Sequence, residues 1–317
     1  MNIDTLAWIS LVISVLVAIL RASTPIIFAT LGGLISDLAG SINVALEGLM
    51  LVAAFFGVIV SIYAPGWFPG MAEWIYPWLG CLAGITAALL LTGLLAVFYL
   101  ELNADLIVAG IAINILASGL TVFLLLTIVG DKGSTAGLNS HPLPSIHIPG
   151  LDAFPVLELL LNGEAHKGHH VLMIGALFSV FLISRFLYRT RYGTWIRAVG
   201  ENREAALAAG IPVKRVQYVA FFLSGLLAAL GGIYLSMGYL TLFQTEMTAG
   251  RGFLALAAIF LGARRPFGSF AAAILFGATT VLATRLGSFQ LPTELVFMLP
   301  PAITILMLVM VGWRRSV

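Results

Sequence analysis

The feature that most limits what this chain can fold into is the recurrence of near-continuous apolar runs about twenty residues long. The clearest of them, residues 44–63, carries one charge, Glu47, in VALEGLMLVAAFFGVIVSIY. A helix needs about 20 apolar residues to cross ~30 Å of hydrocarbon, and every backbone N–H and C=O inside that layer must find a partner within the protein. Comparable runs recur at residues 79–100, 106–129, 171–187, 216–239, 270–284 and 295–311. Charged residues make up only 9% of the chain, where a soluble domain would carry roughly a quarter. The expected fold is therefore all-α, a polytopic transmembrane helix bundle of about 8–10 helices, with residues 1–317 forming one transmembrane domain. The alternating pattern of a membrane β-barrel is absent. The first twenty residues hold Asp4 where a signal peptide would hold Lys or Arg, and are read as a retained first helix.

Positive charge is concentrated in residues 185–215, which hold seven of the 16 Lys and Arg residues against two carboxylates, Glu201 and Glu204. By the positive-inside rule this loop is cytoplasmic. Counting crossings from it puts residues 130–170, rich in Pro and Gly, outside the cell. Arg264, Arg265 and a C-terminus ending in Arg314 and Arg315 fall inside. The net charge of +2 thus reflects orientation in a lipid bilayer and gives no sign of nucleic-acid binding. Within the loop, residues 204–210 read as one short helix, with Glu201 and Glu204 complementing its dipole and Gly210 and Pro212 ending it. Its Ala-rich body has too little bulk to form a core of its own, so it requires a partner's groove.

Two stretches interrupt the apolar pattern. Early in the chain, Pro25 precedes a short apolar piece at residues 26–35, which Gly32, Gly33, Asp37 and Gly40 break. Late in the chain, residues 244–262 form a second Gly-flanked short segment. Broken helices at membrane depth are tolerated where they line a cavity or are buried in protein, and they commonly mark a translocation path. Asn43 and Glu47, four apart, are either the cap and dipole partner of the following helix or residues lining a path. Gln244, Glu246 and Arg251 carry the same two readings, with an outer-surface position as the simpler one for Glu246. All five histidines lie in the outer loop, where a solvated loop outweighs a metal site because no thiol or carboxylate pattern completes one. Ser224 reads as a helix-packing residue and Cys81 as a small core residue. No Ser, His and Asp arrangement suggests catalysis, and no cofactor is expected. The chain has no Gly-Lys dipeptide, so it contains no phosphate-cradling loop of the form GxxxxGK[ST]. Any ATP-driven step needs another polypeptide.

Three blocks, GLISDLAGSINVALEGLMLVAAFFG, GTWIRAVGENREAALAAGIPVKRVQYVAFFLSGLLAALGGIYL and GRGFLALAAIFLGARRPFGSFAAAILFG, resemble in order and spacing the signature blocks of bacterial ABC importer permeases. The branch is the one serving branched-chain amino acids, simple sugars and nucleosides. The wordings NVALEGLML and GRGFLALAA are most similar to nucleoside permeases. The resemblance implies a multi-pass subunit of the bacterial inner membrane. Glu204, Ala205, Ala206 and Gly210 would match the EAAxxxG coupling motif that docks into the ATPase, though the motif's usual hydrophobic-Pro ending is not evident here. It also implies an ATP-binding subunit, a second permease subunit forming a heterodimer, and an extracytoplasmic substrate-binding lipoprotein. Simple sugars, riboflavin and branched-chain amino acids are the alternative substrates. An ion-coupled secondary transporter, with Glu47 as its coupling acid, is the more distant alternative.

Overall fold

The computed structural model describes residues 3–150, 158, 162, 168–287, 302 and 309. Ten helices run through them: α1 (Ile3–Leu38), α2 (Leu46–Trp67), α3 (Tyr76–Leu100), α4 (Leu106–Val129), α5 (Val171–Arg189), α6 (Arg191–Glu201), α7 (Arg203–Ala208), α8 (Val213–Tyr234), α9 (Arg251–Leu261) and α10 (Pro266–Gly287). Seven helical stretches among the described residues are long and apolar enough to cross a membrane, and α9 is a shorter apolar helix. The expected last helix, residues 295–311, lies largely outside the described residues, as do the terminal arginines.

Local chemistry explains where the helices start and stop. Asp105 caps α4 by accepting from the Ile107 and Val108 N–H groups, both at 2.9 Å, and Gly130, with φ 79°, ends it. Pro77 sits in the first turn of α3, where its missing N–H costs nothing. At α8 the α-helical turns pass into a π-helical turn, Leu235–Tyr239, which carries the span to its end. Trp67, Trp74 and Trp78 are exposed at the end away from the basic loop, as an interfacial aromatic belt requires. Tyr76 is instead buried, its hydroxyl shared between the Phe68 and Met71 carbonyls.

Pro25 does not break the first helix. α1 runs unbroken through it for 36 residues, about 54 Å, and the interruption falls later, at residues 39–45. Proline is tolerated inside membrane helices because neighbouring helices and hydroxyls satisfy the freed groups. Gly32 and Gly33 likewise serve packing rather than a break.

The core is built on α1, α2 and α8, with α3, α4, α5, α9 and α10 packed around them. Antiparallel α1 and α8 meet in register every seven residues. A Cβ on Gly231 would lie 2.9 Å from the Pro25 carbonyl oxygen, and one on Gly32 2.7 Å from that of Ser224. One step further, Gln217 donates to the Ala39 carbonyl at 3.4 Å. Small residues allow this approach, and in lipid such backbone-close packing substitutes for the hydrophobic drive of water. Gly32→Val forces the two backbones apart and is expected to cost about 1–3 kcal/mol, read as a lower Tm of the detergent-solubilised protein. An unchanged Tm would mean the seam carries no stability.

Candidate functional site

The two interrupted stretches meet in the middle of the bundle. After α1 ends beside the basic loop, residues 39–45 turn back into the protein, and Asn43 Nδ2 donates to Ser224 Oγ at 3.0 Å. Ser224 lies eleven residues along α8 from Val213, roughly 16 Å into the layer. From there α2 starts and runs outward. On the other side, α8 reaches the far end, residues 240–250 descend, and α9 starts part-way down and runs 11 residues to the basic end. The descent is tightly wound: Thr241, Glu246 and Ala249 have positive φ, 55°, 56° and 46°. Such conformations in residues with a Cβ cost of order 1–3 kcal/mol each and need support from their surroundings.

Glu47 joins the two starts. It lies in the first turn of α2, yet its carboxylate accepts from Gly250 N–H at 2.7 Å and Gly252 N–H at 2.6 Å, both at the start of α9. The N-cap position of α9 is a glycine in the left-handed conformation with no side chain of its own to cap with. Glu47 therefore supplies from another helix what the local sequence lacks. Charge-assisted bonds of this kind contribute about 1.5–3 kcal/mol each. Contact is this close only because residue 252 is glycine: a Cβ there would sit 2.5 Å from the Glu47 nitrogen.

Asn43 and Glu47 do not share a face. Asn43 is fully buried ahead of the helix, its Oδ1 accepting from Ala45 N–H at 3.0 Å, while Glu47 is half-buried. Ser224, read as a packing residue, is also Asn43's hydrogen-bond partner. Sequence reasoning passed over Asn114, in the middle of α4. Its Oδ1 accepts from Gly48 N–H at 2.8 Å and its Nδ2 donates to the Val44 carbonyl at 2.9 Å, clipping the start of α2. One turn further along α4, Ser118 donates to the Glu246 carboxylate. Glu246 is thus tied to the middle of α4, where its simpler reading had been the outer surface. Gln244 is exposed beside it and its backbone bridges to Ser134 of the loop after α4. Half-buried Glu47, Asn114 and Ser118 and exposed Glu246 and Gln244 make a polar stripe joined by these bonds, flanked by exposed Ile111 and Ile115. Ionisable groups on a bare lipid face are costly. This stripe has the chemistry of a wall facing water or a partner.

The basic end differs from its expected form in one respect. It holds two helices, α6 and α7, where one was expected. Glu201 closes α6 and is not in the first turn of α7, which Asn202 caps by accepting from Ala205 N–H at 3.0 Å. Glu201, Glu204, Ala205 and Gly210 are exposed and Gly210 has φ 75°, whereas Ala206 is buried against its own loop. α6 touches the break directly: a Cβ on Gly200 would strike the Leu38 carbonyl carbon at 2.8 Å and the Gly40 nitrogen at 2.9 Å. Gln217 adds a bond to Ser41 Oγ at 3.0 Å. Arg264, following α9, pairs with Asp37 in the last turn of α1, Nε to Oδ2 at 2.9 Å. The segment from Asp37 to Glu47 therefore holds α9 at both ends. Nearby, Lys214 holds Glu101 below the usual carboxylate range through a 3.0 Å hydrogen bond and its charge.

Among the described residues no group of His, Cys, Asp and Glu is gathered to hold a metal. His170 is not in a solvated loop. It is buried, its Nδ1 accepts from Leu172 N–H at 3.2 Å at the start of α5, and burial pushes its pKa down to about 4. His166 lies outside the described residues.

A family profile described as "Branched-chain amino acid transport system / permease component" matches residues 15–310. The guanosine ABC transporter permease protein NupQ of Bacillus subtilis is 35% identical over 94% of this chain and 92% of its own length. The nucleoside ABC transporter permease protein NupC of Lactococcus lactis subsp. cremoris is 32% identical over 90% and 88%. A putative glucose ABC transporter permease protein, TsgC13 of Haloferax volcanii, is 31% identical over 87% and 79%. No solved structure matches.

Asn114→Ala strands the Gly48 N–H and the Val44 carbonyl at the start of α2, each at about 1–3 kcal/mol. A lower Tm in detergent is expected. An unchanged Tm would show that neither bond contributes to stability.

Proposed function

The chain belongs to the permease family of branched-chain amino acid transport systems, and from that premise we propose that it is the membrane subunit of an ATP-driven importer whose cargo is a nucleoside. The observation that carries the reading is the junction at Glu47 of the starts of α2 and the short helix α9, lying behind the polar stripe. An interrupted helix pair at mid-depth, with polar groups on an open face, is the arrangement a hydrophilic solute needs to cross hydrocarbon. Nucleoside cargo is supported by the two relatives named for guanosine and nucleosides. A sugar is the second reading, favoured by the haloarchaeal glucose-permease relative. The importer would lie in a bacterial inner membrane with the basic end and the C-terminus in the cytoplasm.

In this reading the open stripe faces a second permease subunit across the path, and an extracytoplasmic lipoprotein delivers the solute. A separate ATPase supplies the energy, since the sequence has no phosphate-cradling loop. The exposed face of α7, with Glu204, Ala205 and the half-exposed Leu207, enters a groove of that ATPase. Movement there reaches the break through the close contact of Gly200 with Leu38 and Gly40, and from the break reaches Glu47 and α9. Because helices and close-packed backbones are stiff, such a contact passes displacement on rather than absorbing it.

Ala205→Glu places a charge on the docking face without filling a buried site, unlike any change at Ala206. The variant is expected to insert normally but to lose co-purification with the ATPase and at least ~90% of ATP-dependent uptake, since one buried unpaired charge at an interface costs several kcal/mol. Normal uptake would overturn the docking role of α7. Cargo is decided by uptake of labelled guanosine, uridine, glucose, riboflavin and leucine into cells expressing the whole importer. Guanosine or uridine uptake is expected, and uptake of glucose alone would transfer the reading to sugars.

A further inference from the structure

The start of a helix carries about half a positive charge, and two such starts converge part-way across this bundle. In carriers with broken helices, ends of this kind are available to an anionic group on the substrate. Here they are taken. Both oxygens of Glu47 are spent on the Gly250 and Gly252 N–H groups of α9, while the residue's place in the first turn of α2 opposes that helix's dipole as well. Asn114 Oδ1 occupies the Gly48 N–H. Two further charges here offset each other. Glu246 lies on the stripe beside Ser118, and Arg251 Nη1 donates to the Met247 and Thr248 carbonyls at 2.9 and 3.1 Å. Among these groups two half-charges and Arg251 stand against Glu47 and Glu246, so their sum is close to zero.

We propose that Glu47 is a specificity-determining residue: by cancelling the positive ends of α2 and α9 it makes the stripe a polar but electrically neutral wall, which passes uncharged solutes and gives solutes of net negative charge, such as phosphorylated nucleosides, nothing to bind. The inference rests on the reading of this face as a transport path and adds the charge class of the cargo. A substrate meets exposed hydrogen-bonding groups at Gln244 and Glu246, with the half-buried Ser118 bonded behind them.

Ala249 is exposed and adjoins the capped Gly250, so a thiol placed there samples the potential at the junction. In a Cys81→Ala background, Ala249→Cys in the assembled importer is treated with an anionic methanethiosulfonate (sulfonatoethyl) and a cationic one (trimethylammonioethyl). Rates are normalised to a free thiol. With Glu47 present, the two reagents are expected to react within about threefold of each other. Glu47→Gln is expected to raise the anionic-to-cationic ratio about tenfold or more, as removal of a unit charge at short range in a low-dielectric site requires. A tenfold anion preference already in the presence of Glu47 overturns the proposal without any variant at that position. An unchanged ratio in Glu47→Gln overturns it too, as does failure of both reagents to react, which would place this face away from water. Guanosine uptake by the unmodified importer is measured in parallel. Uptake with an unchanged ratio defeats the charge assignment alone, and a shifted ratio without uptake defeats the nucleoside reading alone.

Discussion

The structure hangs on a carboxylate that closes a helix it does not belong to. α9 is about 16 Å long and starts part-way along the bundle, with first N–H groups that have no intrahelical partner. Its own sequence offers them no side-chain cap, because residues 248–252 are Thr-Ala-Gly-Arg-Gly and the cap position is a glycine; the Thr248 carbonyl accepts from the Arg251 N–H at 3.0 Å. Glu47, two hundred residues away, accepts from two of them. Once that bond is made, the rest of the neighbourhood follows. Residue 252 must be small, Asn114 must hold the start of α2 so that Glu47 is aimed, and the left-handed turns of the descending segment are held in place from both sides.

A second constraint runs perpendicular to the first. The register of α1 against α8 places Ser224 and Gln217 opposite the break, so the same two helices that build the core also position its irregular segment. The Asp37–Arg264 pair then fixes the lower end of α9 to the end of α1. Asp37 is almost fully buried and its partner half-exposed, an arrangement in which a paired charge is retained because the unpaired carboxylate would cost far more. Half-helix, break and basic loop are thus joined by direct contacts from α6 to the start of α2.

This architecture also accounts for why the polar stripe lies on an open face. Glu47 and Asn114 are engaged on their inner sides by backbone and reach the surface only in part, whereas Gln244 and Glu246 stand outside. Burying all of them would require many more compensating bonds than the surrounding helices can offer. Leaving them at an open edge lets water complete the set.

Apolar length and charge placement made much of this legible in advance. Lipid imposes a minimum span and forbids unpaired backbone, so runs such as residues 44–63 and 106–129 announce helices, and the basic cluster around Arg197 marks one end of the bundle. The α7 helix was legible because Gly210 and Pro212 are local signals, whereas its cap, Asn202, was passed over. Pro25 misled because a helix inside a membrane can tolerate the loss of one N–H when neighbours crowd around it. Glu201 was misassigned because α6 precedes α7 with a single residue between them, and Ala206 looked free because composition does not say which side of a short helix meets its own loop.

Asn114 could not have been found by pattern. An Asn in the middle of an apolar helix is a polar residue in need of a partner, but its partner is the backbone of residues 44 and 48, which no periodicity locates. The same holds for Glu47 and the start of α9. What the sequence alone determined was the solvent, the class of fold, the two places where helices fail and the end where positive charge gathers, because these depend on composition and short-range spacing. Tertiary structure alone decided that the two failures meet, which carboxylate closes which helix and which polar groups stay open, because those bonds join residues up to two hundred positions apart and exist only when the bundle is packed.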